Sequence, residues 1–138
     1  FDLCMQYPSG FYKPVGVVQN YSDQLRLAAF GYLMDQTASE AGGRYGGVLR
    51  APMKYVGQKN FDALGREEAA PNARAEWDAD TGVFKKNPES DTVFGVSGVV
   101  NYLNQFGRTG PVPGRYKKFD PVGELYYQSL RYMQGLPP

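Results

Sequence analysis

The sequence predicts an α/β or α+β fold: a small sheet with about three helices and long Gly/Pro-rich loops, forming part of a larger domain. Three observations lead there. The run Arg26 to Met34, RLAAFGYLM, is apolar at nearly every position and short, which marks a strand rather than a core helix. The stretch Asp120 to Leu136, DPVGELYYQSLRYMQGL, reads as a capped amphipathic helix. Finally, 17 glycines and 10 prolines among 138 residues leave shaped loops between short elements.

In chain order, residues 1–5 read as a short strand that looks entered midway, followed by a turn at Tyr7-Pro8-Ser9-Gly10. Pro14 suits the first position of a helix, and Val15, Val18 and Tyr21 share one face, so a short helix is expected over 14–24. Arg26 to Met34, apolar on both faces, fits a central strand covered on both sides. Asp35 to Gly43 is a polar loop. Next comes Arg44 to Gly57, RYGGVLRAPMKYVG, an irregular strand. Pro52 cannot donate to a central ladder, so this strand belongs at an edge or a bulge. Val48, Met53 and Val56 are its apolar anchors, with Arg50 and Lys54 projecting elsewhere. Residues 57–73 read as a charged loop, and 74–86 as a hairpin turning at DADTG, its register pinned by Trp77 against Phe84. Ser97 is the expected N-cap of a helix carrying Val99, Val100, Leu103 and Phe106 on one face, ended by Gly107. After a Gly/Pro/basic loop, the last helix takes Asp120 as N-cap and Pro121 as first residue. Its apolar stripe is Val122, Leu125, Tyr126, Leu130 and Met133. Residues 1–138 read as one segment or fragment of a larger protein, without internal repeats.

Composition removes several function classes. Formal charge is +1, with basic and acidic residues interspersed, so the positive footprint of a nucleic-acid binder is not evident. No apolar run reaches the ~20 residues of a membrane span. There is no histidine, which excludes Ser-His-Asp and Cys-His chemistry and any His-bearing zinc site within the chain. The single cysteine, Cys4, reads either as a buried free thiol or as half of a disulfide completed outside the segment.

Asp78-Ala79-Asp80-Thr81-Gly82 resembles the opening of a calcium loop, with Glu89 at the closing position. Gly82, however, sits one place early, and Phe84 and Lys85 read as strand, so a hairpin turn with local Asp-to-backbone bonds is the competing reading. Trp77, nearby tyrosines and this turn form an alternative calcium- or carbohydrate-binding module. Glu67, Glu68, Glu89 and Asp91 supply loop carboxylates for a weaker hydrolase reading, against which stands ordinary solvated charge. GGRYGG at 42–47 lacks both the lysine and the strand-to-helix context of a phosphate loop. Eleven tyrosines contribute to a 14% aromatic share. Tyr127 and Tyr132, with Arg50 and Lys54, are the candidate interface residues, since tyrosine buries area and keeps a polar tip. The expected role is therefore non-enzymatic.

Blocks of sequence in a fixed order sharpen this reading: YPSGFYKPVGVVQNYSDQLRLAAFGYLMD, RYGGVLRAPMKYVG, EWDADTGVFKKNP, SGVVNYLNQFGRTG and YKKFDPVGELYYQSLRYMQGL. Across nearly its whole length the chain resembles the PilY/PilC family of type IV pilus tip-associated adhesins and pilus-biogenesis factors. The resemblance implies a large bacterial protein exported through the periplasm to the cell surface and pilus tip. It also implies a C-terminal calcium-binding β-propeller and an N-terminal half with a von Willebrand factor A-like region. This segment would lie ahead of the propeller, within or inserted into that region. Calcium would belong to the propeller, so Asp78 and Asp80 inherit nothing from it. The Asp-x-Ser-x-Ser metal-adhesion motif is absent from this chain. Implied partners are the rest of the parent adhesin, the pilus tip or minor pilins, and a host or abiotic surface, with no nucleic acid and no membrane span. In an exported protein Cys4 would pair with a cysteine outside the segment.

Overall fold

The structure, a computed structural model, describes residues 3–34, 45–105 and 120–138. It divides into two compact units, one of Phe1–Leu27 and Met53–Asn101, the other of Ala28–Pro52 and Tyr102–Pro138. Among the described residues, six strands and three helices make the mixed α and β composition expected from the sequence.

In the first unit β1 (Cys4–Gln6) pairs antiparallel with β2 (Tyr12–Pro14), Cys4 opposite Pro14 and Gln6 opposite Tyr12. The turn between them is the expected one: the Gly10 N–H donates to the Tyr7 carbonyl at 2.8 Å, with Gly10 at φ +85°. Pro14 closes β2 instead of opening a helix, and the Val15 N–H continues the pairing by donating to the Leu3 carbonyl. The helix expected over 14–24 shrinks accordingly to α1 (Val17–Asn20). Pro14's fixed φ also suits an extended edge, and pairing with Cys4 decides between the two uses. At the start of α1 the Gln19 side chain reaches back to accept from the Gly16 N–H at 3.1 Å.

The stretch 57–73, expected as a charged loop, contains a small hairpin. β5 (Asn60–Phe61) pairs antiparallel with β6 (Glu67–Glu68). Asp62 organises its turn by accepting from the Leu64 and Arg66 N–H groups and pairing with the Arg66 guanidinium at 2.7 Å. The hairpin expected over 74–86 is present, reduced to one antiparallel bridge, Trp77 opposite Phe84, whose rings meet edge-to-face at 6.3 Å. Trp77, Val56, Ala75, Val99, Val100 and Tyr7 form the buried core of this unit. Gly82 sits at φ +69°, where a Cβ would run into the Tyr7 ring, so the turn and the core constrain the same residue.

The second two-stranded sheet is β3 (Arg26–Tyr32) paired with β4 (Gly47–Tyr55), whose residues 28–32 and 47–52 belong to the second unit. β3 confirms the strand read at Arg26 to Met34 but not its central, doubly covered position. Among the described residues it has one strand neighbour, and only Ala29 and Gly31 are buried along it. β4 is a regular nine-residue strand and tolerates Pro52, which is exposed, because a two-stranded ladder leaves β4 an open edge.

α3 (Val122–Met133) packs beside these strands. A Cβ on Gly47 would come within 2.8 Å of the Leu125 Cα, so the missing side chain permits close approach of helix and strand. Phe30 meets Tyr132 edge-to-face at 5.6 Å. The N-cap of α3 is Pro121, one residue later than Asp120, and no side chain caps it. Asp120 acts through its backbone, its carbonyl accepting from the Val122 N–H. Of the expected stripe, Leu125 is half-buried while Val122, Tyr126, Leu130 and Met133 are exposed. α2 (Val99–Asn104) runs where a helix was expected. Phe106 and Gly107, and the loops at 35–43 and 107–119, lie outside the described residues.

Candidate functional site

The most heavily constrained chemistry lies in the first unit, where β4 delivers Lys54 and the Trp77 hairpin delivers Glu76. Lys54 alternates with half-buried Met53 and Tyr55 and so points inward. Its Nζ lies 3.1 Å from Glu76 Oε1, 2.5 Å from Glu89 Oε1 and 3.0 Å from the Arg74 carbonyl. The Glu89 oxygen is buried and meets the ammonium outside hydrogen-bonding angles, which makes that contact ionic. Glu76 is 1% exposed. An isolated buried carboxylate would be prohibitive, and this one is fully partnered. Oε1 accepts from the Val99 N–H at 2.8 Å and Oε2 from the Val100 N–H at 2.6 Å, so a side chain more than twenty residues away caps α2.

This corrects two expectations. Ser97 is not the cap of α2: its hydroxyl donates to Asn87 Oδ1 and accepts from the Glu89 N–H, ordering the preceding loop. Lys54 does not project outward as an interface residue, because it is 9% exposed and committed to two carboxylates. Gly98, at φ +96°, is the third constraint. A Cβ there would meet Pro88 at 2.7 Å and the Glu76 carboxyl at 3.0 Å, so only glycine lets the chain enter α2 past the cluster. Glu76 went unnoticed in the sequence. Its signal was an acid set between Ala75 and Trp77, and a lysine of opposite sign set between Met53 and Tyr55.

The remaining candidates are dispersed. Asp78 Oδ1 accepts from the Asp80 N–H, the Thr81 N–H and the Thr81 hydroxyl, at 3.1, 2.8 and 2.8 Å. These bonds, the Thr81 N–H first among them, hold the Asp78 carboxyl below its ordinary value. The Asp78–Asp80 turn is thus organised by its own backbone, and no cluster of three or more His, Cys, Asp or Glu groups suited to a metal occurs among the described residues. Trp77 is 4% exposed and packs on Phe84, leaving no bare face for a sugar ring. Glu67 pairs with Lys59 at 3.0 Å, Glu68 accepts from the Asn60 amide, and Asp91 Oδ1 accepts from the Val93 and Phe94 N–H groups. Each carboxylate of the hydrolase reading therefore has a partner, Glu89 through Lys54 and the others within their own turns or hairpin. Cys4 is exposed, which removes the buried-thiol reading. Arg50 is exposed and donates to the Tyr32 carbonyl at 2.8 Å. Tyr127 is exposed beside the Arg131 guanidinium, whereas Tyr132 is half-buried against Phe30.

The Asp78 turn has a pH signature. Because its carboxyl is depressed in the folded chain, the stabilisation is present above the ordinary value of 3.8 and is lost as pH falls through the lower folded value. Melting curves recorded from about pH 5 to about pH 2 should show a wild-type advantage over Asp78→Ala that shrinks on the acid side. A constant difference across that range would assign the Asp78 effect to something other than its charge.

No protein-family model and no solved structure matches the chain. One curated protein does, the type IV pilus biogenesis factor PilY1 homolog of Xylella fastidiosa strain Temecula1, at 42% identity over 145 aligned positions covering 96% of this chain. The chain spans 11% of the length of that relative. The order of blocks read from the sequence and this alignment point the same way: over nearly its whole length, the chain is homologous to one segment of a PilY1-type pilus biogenesis factor.

Proposed function

We propose that this segment is a non-enzymatic bracing and recognition module of a type IV pilus biogenesis factor, contributing to pilus assembly and, at the pilus tip, to surface adhesion. The observation that carries the reading is the 42% identity, spread over 96% of the chain, with a protein named for pilus biogenesis. The cluster geometry supports the bracing half. Lys54, Glu76 and Glu89 are consumed in joining β4, the Trp77 hairpin and α2, leaving no free acid–base pair there to do chemistry. The recognition half is supported by side chains turned outward, Arg50 on β4 and Tyr127 on α3.

On this reading the module lies in the N-terminal region of a larger exported adhesin, at the cell surface, and works without a cofactor of its own. It meets the rest of that adhesin, the pilus tip or minor pilins, and a host or abiotic surface. Cys4, exposed on β1, is then available to a cysteine elsewhere in the parent. The test is replacement of the segment by a flexible linker in the full-length parent protein, in a piliated bacterium. Loss of surface pili or of attachment, with the parent still made and exported, is the expected result. Unchanged piliation and unchanged attachment would remove the proposal.

A further inference from the structure

We propose that the first unit carries a binding cleft for an acidic, extended peptide segment, with Arg26 and Arg74 reading its carboxylates. This deepens the recognition role proposed above and rests on it. The cleft is open to solvent, has a volume of about 610 Å³, and lies between the end of β4, the β5 strand with its turn, and the loop through residues 70–74. That size is ordinary for a ligand site, ~300–1,000 Å³.

Its charges are unequal in number and in commitment. Three cations, Arg26, Lys54 and Arg74, and one carboxylate, Asp62, line it. Asp62 is occupied by Arg66 and by the backbone of its own turn. Lys54 is occupied by Glu76 and Glu89. Arg26 has no carboxylate partner among the described residues; its guanidinium lies 5.8 Å from the centroid of the Tyr55 ring. A guanidinium held over a ring keeps N–H donors free for a planar anion, which is the geometry that favours bidentate carboxylate binding. Arg74 is exposed, and its nearest carboxylate, Glu89, stands at 3.9 Å, the outer limit of an ion pair. These two exposed guanidiniums are the groups of the cleft that an anion can reach.

The walls decide the class of anion. Tyr55 is the natural platform for a sugar ring, but Arg26 and Phe61 already claim it, Phe61 at a centroid distance of 4.5 Å. The rest of the lining mixes the Asn60 and Asn72 amides with small or aliphatic groups, Met53, Ala70, Pro71 and Ala73, a combination that suits the backbone and methylenes of a peptide. Carboxylates at spaced positions on an extended chain satisfy both arginines and that lining.

The experiment titrates the full chain with a fluorescein-labelled peptide of alternating Asp and Gly, with its Asn-Gly counterpart, and with oligogalacturonate as competitor, by fluorescence polarisation. Saturable binding of the Asp peptide should weaken about tenfold in R26Q and in R74Q, and similarly when salt rises from about 0.05 to about 0.5 M. Both arginines are exposed, and circular dichroism checks that each variant folds; should R26Q not fold, R74Q decides. No binding, equal binding of the Asn peptide, or unaltered binding in the folded variants overturns the proposal. Stronger displacement by oligogalacturonate than by unlabelled Asp peptide assigns the cleft to acidic glycans and overturns the peptide assignment. Failure here, with pili still lost on segment replacement, leaves the pilus role standing, so the two readings fail separately.

Discussion

Glu76→Ala is expected to destabilise the chain by about 3–5 kcal/mol, the range for removing one partner of a buried ion pair. Two losses combine. The Val99 and Val100 N–H groups, which Glu76 caps at 2.8 and 2.6 Å, are left buried without their acceptor. Lys54, 9% exposed, keeps Glu89 but loses the carboxylate that is itself fully buried. Glu76→Gln should cost less, because one amide oxygen still accepts from one of the two N–H groups while the amide nitrogen faces the other. The net worth of the pair is a separate quantity, since replacing both ions by apolar groups is often nearly neutral. A double-mutant cycle with Lys54→Met isolates it: the pair of substitutions together should cost less than the sum of the two singly. Urea denaturation supplies the measurement, as a fall in midpoint at constant slope. A Glu76→Ala loss under about 1 kcal/mol would mean the cluster does not hold β4 and α2 in place.

Trp77→Ala is the second large effect, about 3–5 kcal/mol, from lost transfer energy and the cavity left behind. The indole is 4% exposed and forms the edge-to-face contact with Phe84 that closes the hairpin. Because Trp77 is the sole tryptophan, the wild type reports its own environment: emission should be blue-shifted in the folded chain and move red on unfolding. Phe84→Ala should give a smaller loss, since Phe84 is itself partly exposed. Native emission at the wavelength of a solvated indole would contradict the burial. It would also reopen Trp77 as a stacking platform for a sugar.

How far the chain could be read in advance follows from the range of each interaction. The Tyr7–Gly10 turn, the Trp77–Phe84 register and the presence of helix α3 depend on residues within a few positions of one another, and each was legible. Pro14 was not, because its fixed φ serves both a first helical turn and an extended edge, and pairing with Cys4 made the choice. The β5–β6 hairpin was missed because its strands are two residues each, too short for alternation to register.

The cluster shows the same limit at longer range. Ser97 had the right chemistry at the right local spacing to cap α2, yet Glu76 outcompetes it from a different hairpin. The alternation along β4 placed Lys54 on a face, but not whether that face met water or carboxylates. Around the cleft, nothing local in the sequence tells that Asp62 is taken by Arg66, or that Glu76 and Glu89 are taken by Lys54.

The sequence by itself indicated the kind of molecule: short strands and helices between Gly/Pro-rich loops, without a histidine for proton transfer, with a likeness along nearly its whole length to one segment of a pilus biogenesis factor. Only tertiary structure decided which charges are spent and which remain for a partner. Local propensity acts over one turn or one strand pair, whereas a buried charge is set by whichever distant group the fold brings within about 3 Å of it.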